Sequence, residues 1–134
     1  MAGTKPSFIH MTRDGINYGF HAHYKAEENG MYSWYIPAFD IYFSSQSIEQ
    51  GNKRAVAMTR SFFNHWIEHE SFRSFILQIH KLGFKASEHH ELTIKQLISR
   101  KRIDAKFKSK DGIIPEEFKN SDIVEQEGNL ALAI

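Results

Sequence analysis

Residues 16–26 alternate between apolar and polar side chains almost without interruption, and this alternation constrains the fold more than any other feature. The even-numbered positions hold Ile16, Tyr18, Phe20, Ala22, Tyr24 and Ala26, and the odd-numbered positions hold Asn17, Gly19, His21, His23 and Lys25. A period of two residues is typical of a β-strand with one buried face. The Asn29-Gly30 pair that follows is a strong hairpin signal. We therefore expect this strand to be the first arm of an antiparallel hairpin.

The length of the hairpin loop decides which side chains share the buried face. A two-residue turn would place Trp34 on the polar face of the first strand. A three-residue loop, with Gly30 in the left-handed conformation, instead places Tyr24 opposite Trp34. A slip of one residue moves every side chain of a strand to the other face, so burial of the indole favours the three-residue loop.

A long amphipathic helix is predicted from Ile48 to about Ile67. Ser47 and Gln50 form a capping box, in which the Ser47 hydroxyl accepts a hydrogen bond from the Gln50 backbone N–H and the Gln50 side chain reaches back to the Ser47 backbone N–H. The apolar residues of this segment keep helical spacing on one side: Ile48, Ala55, Val56, Phe62, Phe63, Trp66 and Ile67. Gly51 costs about 1 kcal/mol relative to alanine inside a helix. We therefore expect Gly51 to mark a close approach of the helix backbone to the sheet.

These patterns predict an α+β fold, in which an antiparallel β-meander of three to four strands is packed on one face by the long helix. The outer strands of the meander are expected near residues 8–12 and 40–45. The second half of the chain is expected to add two C-terminal helices, one ending at Gly83 and one over residues 94–101. It is also expected to add one extra strand near residues 103–107, where apolar and polar side chains alternate again.

Charge is distributed unevenly along the chain, although the formal net charge is only +1. Residues 71–114 carry ten basic and four acidic side chains, whereas residues 115–134 carry one basic and five acidic ones. We therefore expect a single domain over residues 1–114, followed by an acidic C-terminal tail. Part of this tail could be ordered, with residues 129–134 as a further strand or as docked apolar side chains. The chain has no cysteine, which excludes disulfides and a thiolate nucleophile. Without a signal-peptide pattern or an apolar run of about 20 residues, the sequence predicts a cytoplasmic protein that does not enter a membrane.

Three segments follow one another in a recognisable order: Glu28-Asn29-Gly30 at the hairpin, residues 31–37 in the second strand, and Ser47-Ile48-Glu49 at the start of the helix. In this order they resemble the N-terminal domain of HicB-type antitoxins, over about residues 16–67. The resemblance implies a β-β-β-α unit similar to part of a double-stranded-RNA-binding domain. The chain departs from the family pattern at Ala38-Phe39-Asp40, where a Pro-Gly pair is usual.

The resemblance also implies a function, which is non-enzymatic and antitoxin-like sequestration of a small toxin-like protein partner similar to HicA. The outer, solvated face of the sheet would contact that partner, through His21, His23 and Tyr35. The exposed edge strands are expected to pair two chains into a homodimer. Residues 92–110 do not show the paired helices of a DNA reader, so the resemblance does not extend to operator binding.

A second interpretation is nucleic-acid binding by a basic segment, which comprises Arg100, Lys101, Arg102, Lys106, Lys108 and Lys110. Such a segment could hold the phosphate backbone of RNA or DNA with strongly salt-dependent affinity. The alternative is a solvated helix end, where cations are favourable against the helix dipole. The last three lysines lie beyond the predicted helix, which favours a nucleic-acid contact.

A third interpretation is a small metal-dependent hydrolase. His65, Glu68 and His69 match the H-x-x-E-H spacing, which places two histidines on one helical face to bind zinc and offers the glutamate as a general base. The alternative is an ordinary polar flank of the helix, since the two intervening residues continue its apolar stripe. No third ligand is identifiable for this motif. His21 and His23 share the outer face of the first strand and could bind a metal as a pair, together with His89 and His90, but a solvated strand face is the favoured alternative. We therefore expect neither a metal nor another cofactor.

Overall fold

The computed structural model describes residues 7–11, 15–70, 72–86, 105–109 and 114–131. Within these residues the strands are β1 (Phe8–Met11), β2 (Gly15–Ala26), β3 (Tyr32–Ile36), β4 (Ile41–Ser45), β5 (Phe84–Ala86), β6 (Ala105–Ser109) and β7 (Asp122–Ala131). The helices are α1 (Ile48–Asn64), a π-helical segment (His65–Glu70), α2 (Phe72–Lys81) and a 3-10 helix (Glu116–Phe118). The strands form one curled antiparallel sheet that resembles half of a barrel, so the fold class is α+β, as predicted.

β2 is the axis of this sheet because it has partners along both edges. On one edge it pairs with β7 over its whole length but the last two residues, from Gly15 opposite Ala131 to Tyr24 opposite Asp122. On the other edge, the first half of β2 pairs with β1 and its end pairs with β3. The sheet therefore divides into two branches. One branch continues from β3 to β4, and the other continues from β1 through β6 to β5.

The prediction of a meander with three to four strands was wrong in its extent. The predicted meander is present as β1 to β4, close to its predicted limits, but β5, β6 and β7 extend it from the second half of the chain. Residues 122–131 of the expected acidic tail lie along β2 within the sheet. Strands that pair across such long separations have no turn between them, and local sequence patterns therefore do not reveal their pairing.

The β2–β3 hairpin has the predicted register, with Tyr24 opposite Trp34 and Ala26 opposite Tyr32. Gly30 has a φ angle of 83°, which is the left-handed conformation that the three-residue loop requires. The consequence is that the indole of Trp34 is completely buried. It stacks on the ring of Tyr24, with 4.7 Å between ring centroids.

The N-terminus of α1 has the predicted cap. Ser47 Oγ accepts a hydrogen bond from the backbone N–H of Gln50 at 3.1 Å. The Gln50 side chain differs from the prediction, because its oxygen accepts from the backbone N–H of Gln46 at 2.7 Å. A Cβ atom at Gly51 would lie only 2.0 Å from Cζ2 of Trp34. The predicted close approach of the helix backbone to the sheet is therefore confirmed.

The core lies between the helices and the even-numbered face of β2. The ring of Phe63 on α1 lies 4.9 Å from that of Tyr18 on β2, and Phe75 on α2 lies 6.0 Å from Phe63, between centroids. α2 ends just before Gly83, whose φ angle of 104° agrees with the predicted C-terminal cap. The helix predicted over residues 94–101 lies outside the described residues. Among the helices of the described residues, none has the length and apolar character needed to cross a bilayer.

Candidate protein-binding surface

The outer face of the sheet is the face turned away from α1 and α2. Side chains alternate between faces along a strand, and directly opposite residues share a face. The outer face therefore carries the odd-numbered residues of β2 and their neighbours, which include Phe8, His10, Tyr35, Ile123, Glu125, Glu127 and Asn129. The expectation that this face is solvated was wrong for the three predicted partner-binding residues, since His21, His23 and Tyr35 are only 5%, 8% and 6% exposed. Their role in partner binding stays a prediction.

Phe118 of the 3-10 helix covers the part of the outer face formed by β2, β3 and β4. Its ring centroid lies 5.8 Å from that of Tyr35 and 6.5 Å from that of Tyr42. The Lys25 ammonium lies 5.5 Å from the Phe118 centroid, within the range of a cation–π interaction. Phe118 is itself 2% exposed, whereas Tyr42 stays 53% exposed, so the Phe118 ring covers only some of this part of the face.

Ser121 fastens the chain that follows Phe118 to β2. Its hydroxyl donates a hydrogen bond to the carbonyl oxygen of Phe118 at 2.6 Å. The Ser121 hydroxyl oxygen itself lies 3.2 Å from Nδ1 of His23. A hydroxyl has one hydrogen, so His23 Nδ1 is the donor in this contact. A partner that contacts His23 would first have to displace this segment.

Tyr35 is held by its neighbours on the outer face rather than presented to solvent. Its ring stacks on Tyr42 at 4.3 Å between centroids, and its hydroxyl donates to Asp40 Oδ1 at 3.4 Å. Burial raises the pKa of Tyr35 to about 12, and the negative charge of Asp40 adds to the effect. These contacts indicate that Tyr35 stabilises this part of the sheet as a neutral phenol.

A pocket of about 310 Å³ opens on the outer face above Gly19. Residues of three strands line it: Phe8, Gly19, Phe20, His21, Glu125, Gln126 and Glu127. Gly19 lies directly opposite both Phe8 on β1 and Glu127 on β7. A Cβ atom at Gly19 would lie 2.4 Å from Cε1 of Phe8, so the Phe8 ring leans over the bare backbone of the glycine. The Phe8 ring therefore fills the space that a side chain at residue 19 would take, and it forms part of the pocket lining.

The pocket has an acidic rim, formed by Glu125 and Glu127, and an aromatic wall, formed by Phe8. Both glutamates are exposed, and Phe8 is half-buried. His21 lies directly opposite Glu125 and is the one predicted partner-binding residue that lines the pocket. Carboxylates form charge-assisted hydrogen bonds with cationic side chains, and aromatic rings attract them through cation–π interactions. The arrangement therefore suits a positively charged group.

β7 is the longest edge strand in the described part of the chain. It has ten residues, and among the described residues it pairs with β2 alone. The other edge strands are shorter, since β4 has five residues and β5 has three. The edge of β4 is also partly closed, because Arg54 Nη1 donates a hydrogen bond to the carbonyl oxygen of Ser44 at 2.7 Å. β7 therefore offers a long row of backbone N–H and C=O groups next to the acidic rim.

Sequence reasoning did not identify the acidic rim, because β7 lacks a clear apolar alternation. Two of its core-facing positions hold Gln126 and Gly128. The Gln126 amide donates to the carbonyl oxygen and the Oδ1 of Asn52 on α1, at 3.2 Å in both cases. Gly128 leaves room for the Tyr18 hydroxyl, which would lie 2.7 Å from a Cβ atom at this position. The one available signal was a long stretch without proline in which polar residues alternate at Glu125, Glu127 and Asn129.

Two of the six predicted nucleic-acid-binding residues, Lys106 and Lys108, lie exposed on the outer face of β6. Lys108 is directly opposite Lys85 of β5, and Lys106 is directly opposite His10 of β1. The structure therefore gathers a small basic patch on the branch of the sheet that lies away from β7. The remaining four predicted residues lie outside the described residues: Arg100, Lys101, Arg102 and Lys110.

The predicted metal motif lies in the π-helical segment. The exposed ring of His65 meets Trp66 edge-on, with 5.2 Å between centroids. The side chains of four other candidate metal ligands lie outside the description: Glu68, His69, His89 and His90. Within the described ranges, no group of three or more His, Cys, Asp or Glu side chains is placed to hold a metal ion. The hydrolase interpretation therefore stays a prediction.

Comparisons of this chain with protein-family models, with curated proteins and with solved structures found no match. The resemblance to HicB-type antitoxins therefore stays a hypothesis from the sequence.

Proposed function

We propose that this protein is a non-enzymatic protein-binding module, which binds a segment of its partner as an added strand on the free edge of β7. This role fits antitoxin-like sequestration of a small HicA-like protein, which the resemblance of residues 16–67 to HicB-type antitoxins implies. The observation that carries the proposal is the ten-residue edge of β7, which has a strand on one side only within the described residues.

Among the described residues, the backbone groups on the outer edge of β7 are available for hydrogen bonding to a further strand. Each N–H and C=O that faces away from β2 must bond to water or to another strand. An added strand bonds to them in register, so main-chain hydrogen bonds supply affinity and adjacent pockets supply specificity. β7 is held on its other side by β2 and by the contact between Gln126 and Asn52. The edge is therefore ordered before binding, which lowers the entropic cost of association.

The test is affinity capture of the full chain with its partner from the native host, followed by hydrogen exchange on the free and the bound protein. We expect amides of residues 122–131 to exchange more slowly in the complex. The edge strand β4 is the internal control, and its amides should change little. A partner that protects other residues and leaves 122–131 unchanged would contradict the proposal, and so would recovery of the protein without a partner.

A second candidate function is nucleic-acid binding, which the pairing of Lys85 with Lys108 favours. Like charges directly opposite each other on neighbouring strands are destabilising, and a phosphate group between them would relieve the repulsion. We expect retention on single-stranded RNA that weakens steeply with salt and with Lys106→Glu plus Lys108→Glu. Lys53→Glu plus Lys81→Glu, at exposed positions of α1 and α2, is the matched control because it changes the net charge by the same amount. Retention that these changes affect equally would exclude the patch as the binding site.

A further inference from the structure

We propose that the pocket above Gly19 receives a lysine or arginine side chain from the strand that adds to β7. The partner segment would then be extended and basic at alternate positions. This inference rests on the proposed function, since the added strand is what brings the side chain to the pocket. It defines the chemical class of the segment, which strand addition alone leaves open.

The position of the pocket selects for long side chains. Neighbouring strands lie about 5 Å apart, so an added strand would lie about 5 Å from β7 and about 10 Å from β2. The pocket is lined on β2 by Gly19, Phe20 and His21. An arginine or lysine side chain extends roughly 7 Å from its Cα, given bonds near 1.5 Å. Such a side chain would cross β7 and enter the pocket, whereas a short side chain would stop above β7.

The chemistry of the pocket selects for positive charge. A side chain that crosses β7 on the outer face passes the acidic rim, Glu125 and Glu127. Beyond the rim it meets the ring of Phe8, which a guanidinium or ammonium group contacts favourably. An added strand with basic residues opposite the rim would also form cross-strand pairs of opposite charge, which stabilise a sheet. A neutral side chain of the same length would lose both interactions.

A second copy of this chain is a poorer occupant of the same edge. Two copies of β7 related by a twofold axis would pair antiparallel, with their outer faces on the same side. Pairings centred on residue 125, 126 or 127 each place a glutamate of the acidic rim opposite a glutamate of the other copy. Like charges directly opposite are destabilising, so the acidic rim opposes self-pairing and favours a basic segment.

The experiment measures binding of fluorescent synthetic peptides to the full chain by anisotropy. The probe is an extended peptide in which arginine alternates with valine. Its matched control replaces each arginine by citrulline, which keeps the shape and removes the charge. We expect the arginine peptide to bind and the citrulline peptide to bind at least tenfold more weakly.

The protein variants locate the interaction. Glu125→Gln plus Glu127→Gln should weaken binding of the arginine peptide at least tenfold. Glu116→Gln plus Glu117→Gln removes the same charge from two other exposed glutamates, and should change the affinity less than twofold. If the two pairs of changes weakened peptide binding equally, the proposal that the pocket binds the cationic side chain would be overturned, because only the net charge of the protein would then matter. Equal binding of the arginine and citrulline peptides would overturn it as well.

Peptides with N-methyl groups separate this inference from strand addition. Methylation of alternate backbone nitrogens blocks one edge of the peptide, so one of the two methylated sets should lose binding. If both methylated sets bind the unmodified chain and the glutamine variants do not bind the arginine peptide, the cationic pocket is supported and strand addition is contradicted. If methylation abolishes binding but replacement of arginine by citrulline does not, strand addition is supported and the cationic pocket is contradicted. Failure of every peptide to bind would overturn the cationic pocket, and hydrogen exchange on the native complex would then decide strand addition alone.

Discussion

Replacing Gly51 with alanine tests whether α1 contacts the sheet as tightly as the structure indicates. In a helix with free space around it, this change stabilises by about 1 kcal/mol. Here the new Cβ would lie 2.0 Å from Cζ2 and 2.1 Å from Cε2 of Trp34, far inside van der Waals contact. The change should therefore destabilise the fold although it improves the intrinsic helix propensity.

The magnitude depends on how freely the indole of Trp34 can move. Its Nε1 donates to Ser45 Oγ at 2.8 Å, and Ser45 Oγ donates to the carbonyl oxygen of Ser47 at 2.7 Å. The ring also stacks between Tyr24 and Phe43, at 4.7 and 5.5 Å between centroids. Overpacking of a core typically costs about 1–3 kcal/mol, and a ring held in this way favours the upper end. After the gain in helix propensity, we expect a net loss of about 1–2 kcal/mol.

Urea unfolding followed by circular dichroism measures this loss, and a double-mutant cycle assigns it to the contact. Trp34→Leu removes Cζ2, Cε2 and Nε1, the three ring atoms nearest the new Cβ, so it is the matched background. In that background, Gly51→Ala should be neutral or stabilising by up to about 1 kcal/mol, as its helix propensity requires. If Gly51→Ala stabilises the unmodified chain by the same amount, the close approach of α1 to Trp34 is refuted.

Three further predictions concern the cap of α1 and the cover of the outer face. Ser47→Ala should lower the free energy of unfolding by about 1 kcal/mol because it removes the helix cap. Ser44 is exposed and caps no helix, so Ser44→Ala should cost little. Equal effects of the two changes in urea unfolding would contradict the cap. Phe118→Ala should cost about 3 kcal/mol, since it removes a fully buried ring, and an unchanged urea midpoint would show that the ring is not packed. Stability should fall between pH 10 and 12, because tyrosine ionises near pH 10 in the unfolded chain and the pKa of Tyr35 is about 12 in the fold. Tyr35→Phe should reduce this fall, and an unaltered slope of stability against pH would disagree with the burial of the phenol.

The candidate site could be predicted from the sequence only in part. The alternation of β2 places His21 on the outer face, and His21 does line the pocket. The acidic rim was missed because β7 has Gln126 and Gly128 at core-facing positions. These two residues suit the core only because Asn52 and Tyr18 lie next to them, and both come from distant parts of the chain.

The sequence by itself determined the local elements of the first half of the chain. The left-handed Gly30 and the cap at Ser47 act within a few residues, so their physical causes are visible in the sequence. The alternation of residues 16–26 likewise assigns each side chain to one of two faces. These causes account for β2, its hairpin with β3 and the start of α1, all of which the structure confirms.

Only the tertiary structure decided what lies against each face. His23 and Tyr35 share a face of the hairpin in the sequence, but both are buried in the structure. Phe118 packs on Tyr35 and Ser121 contacts His23, and both come from far along the chain. The pairing of β7 with β2 likewise joins distant residues. It creates the pocket above Gly19 and an edge of β7 that has no paired strand among the described residues. The physical reason is that side-chain alternation specifies the two faces of a strand, whereas burial of a face depends on which remote segment packs against it.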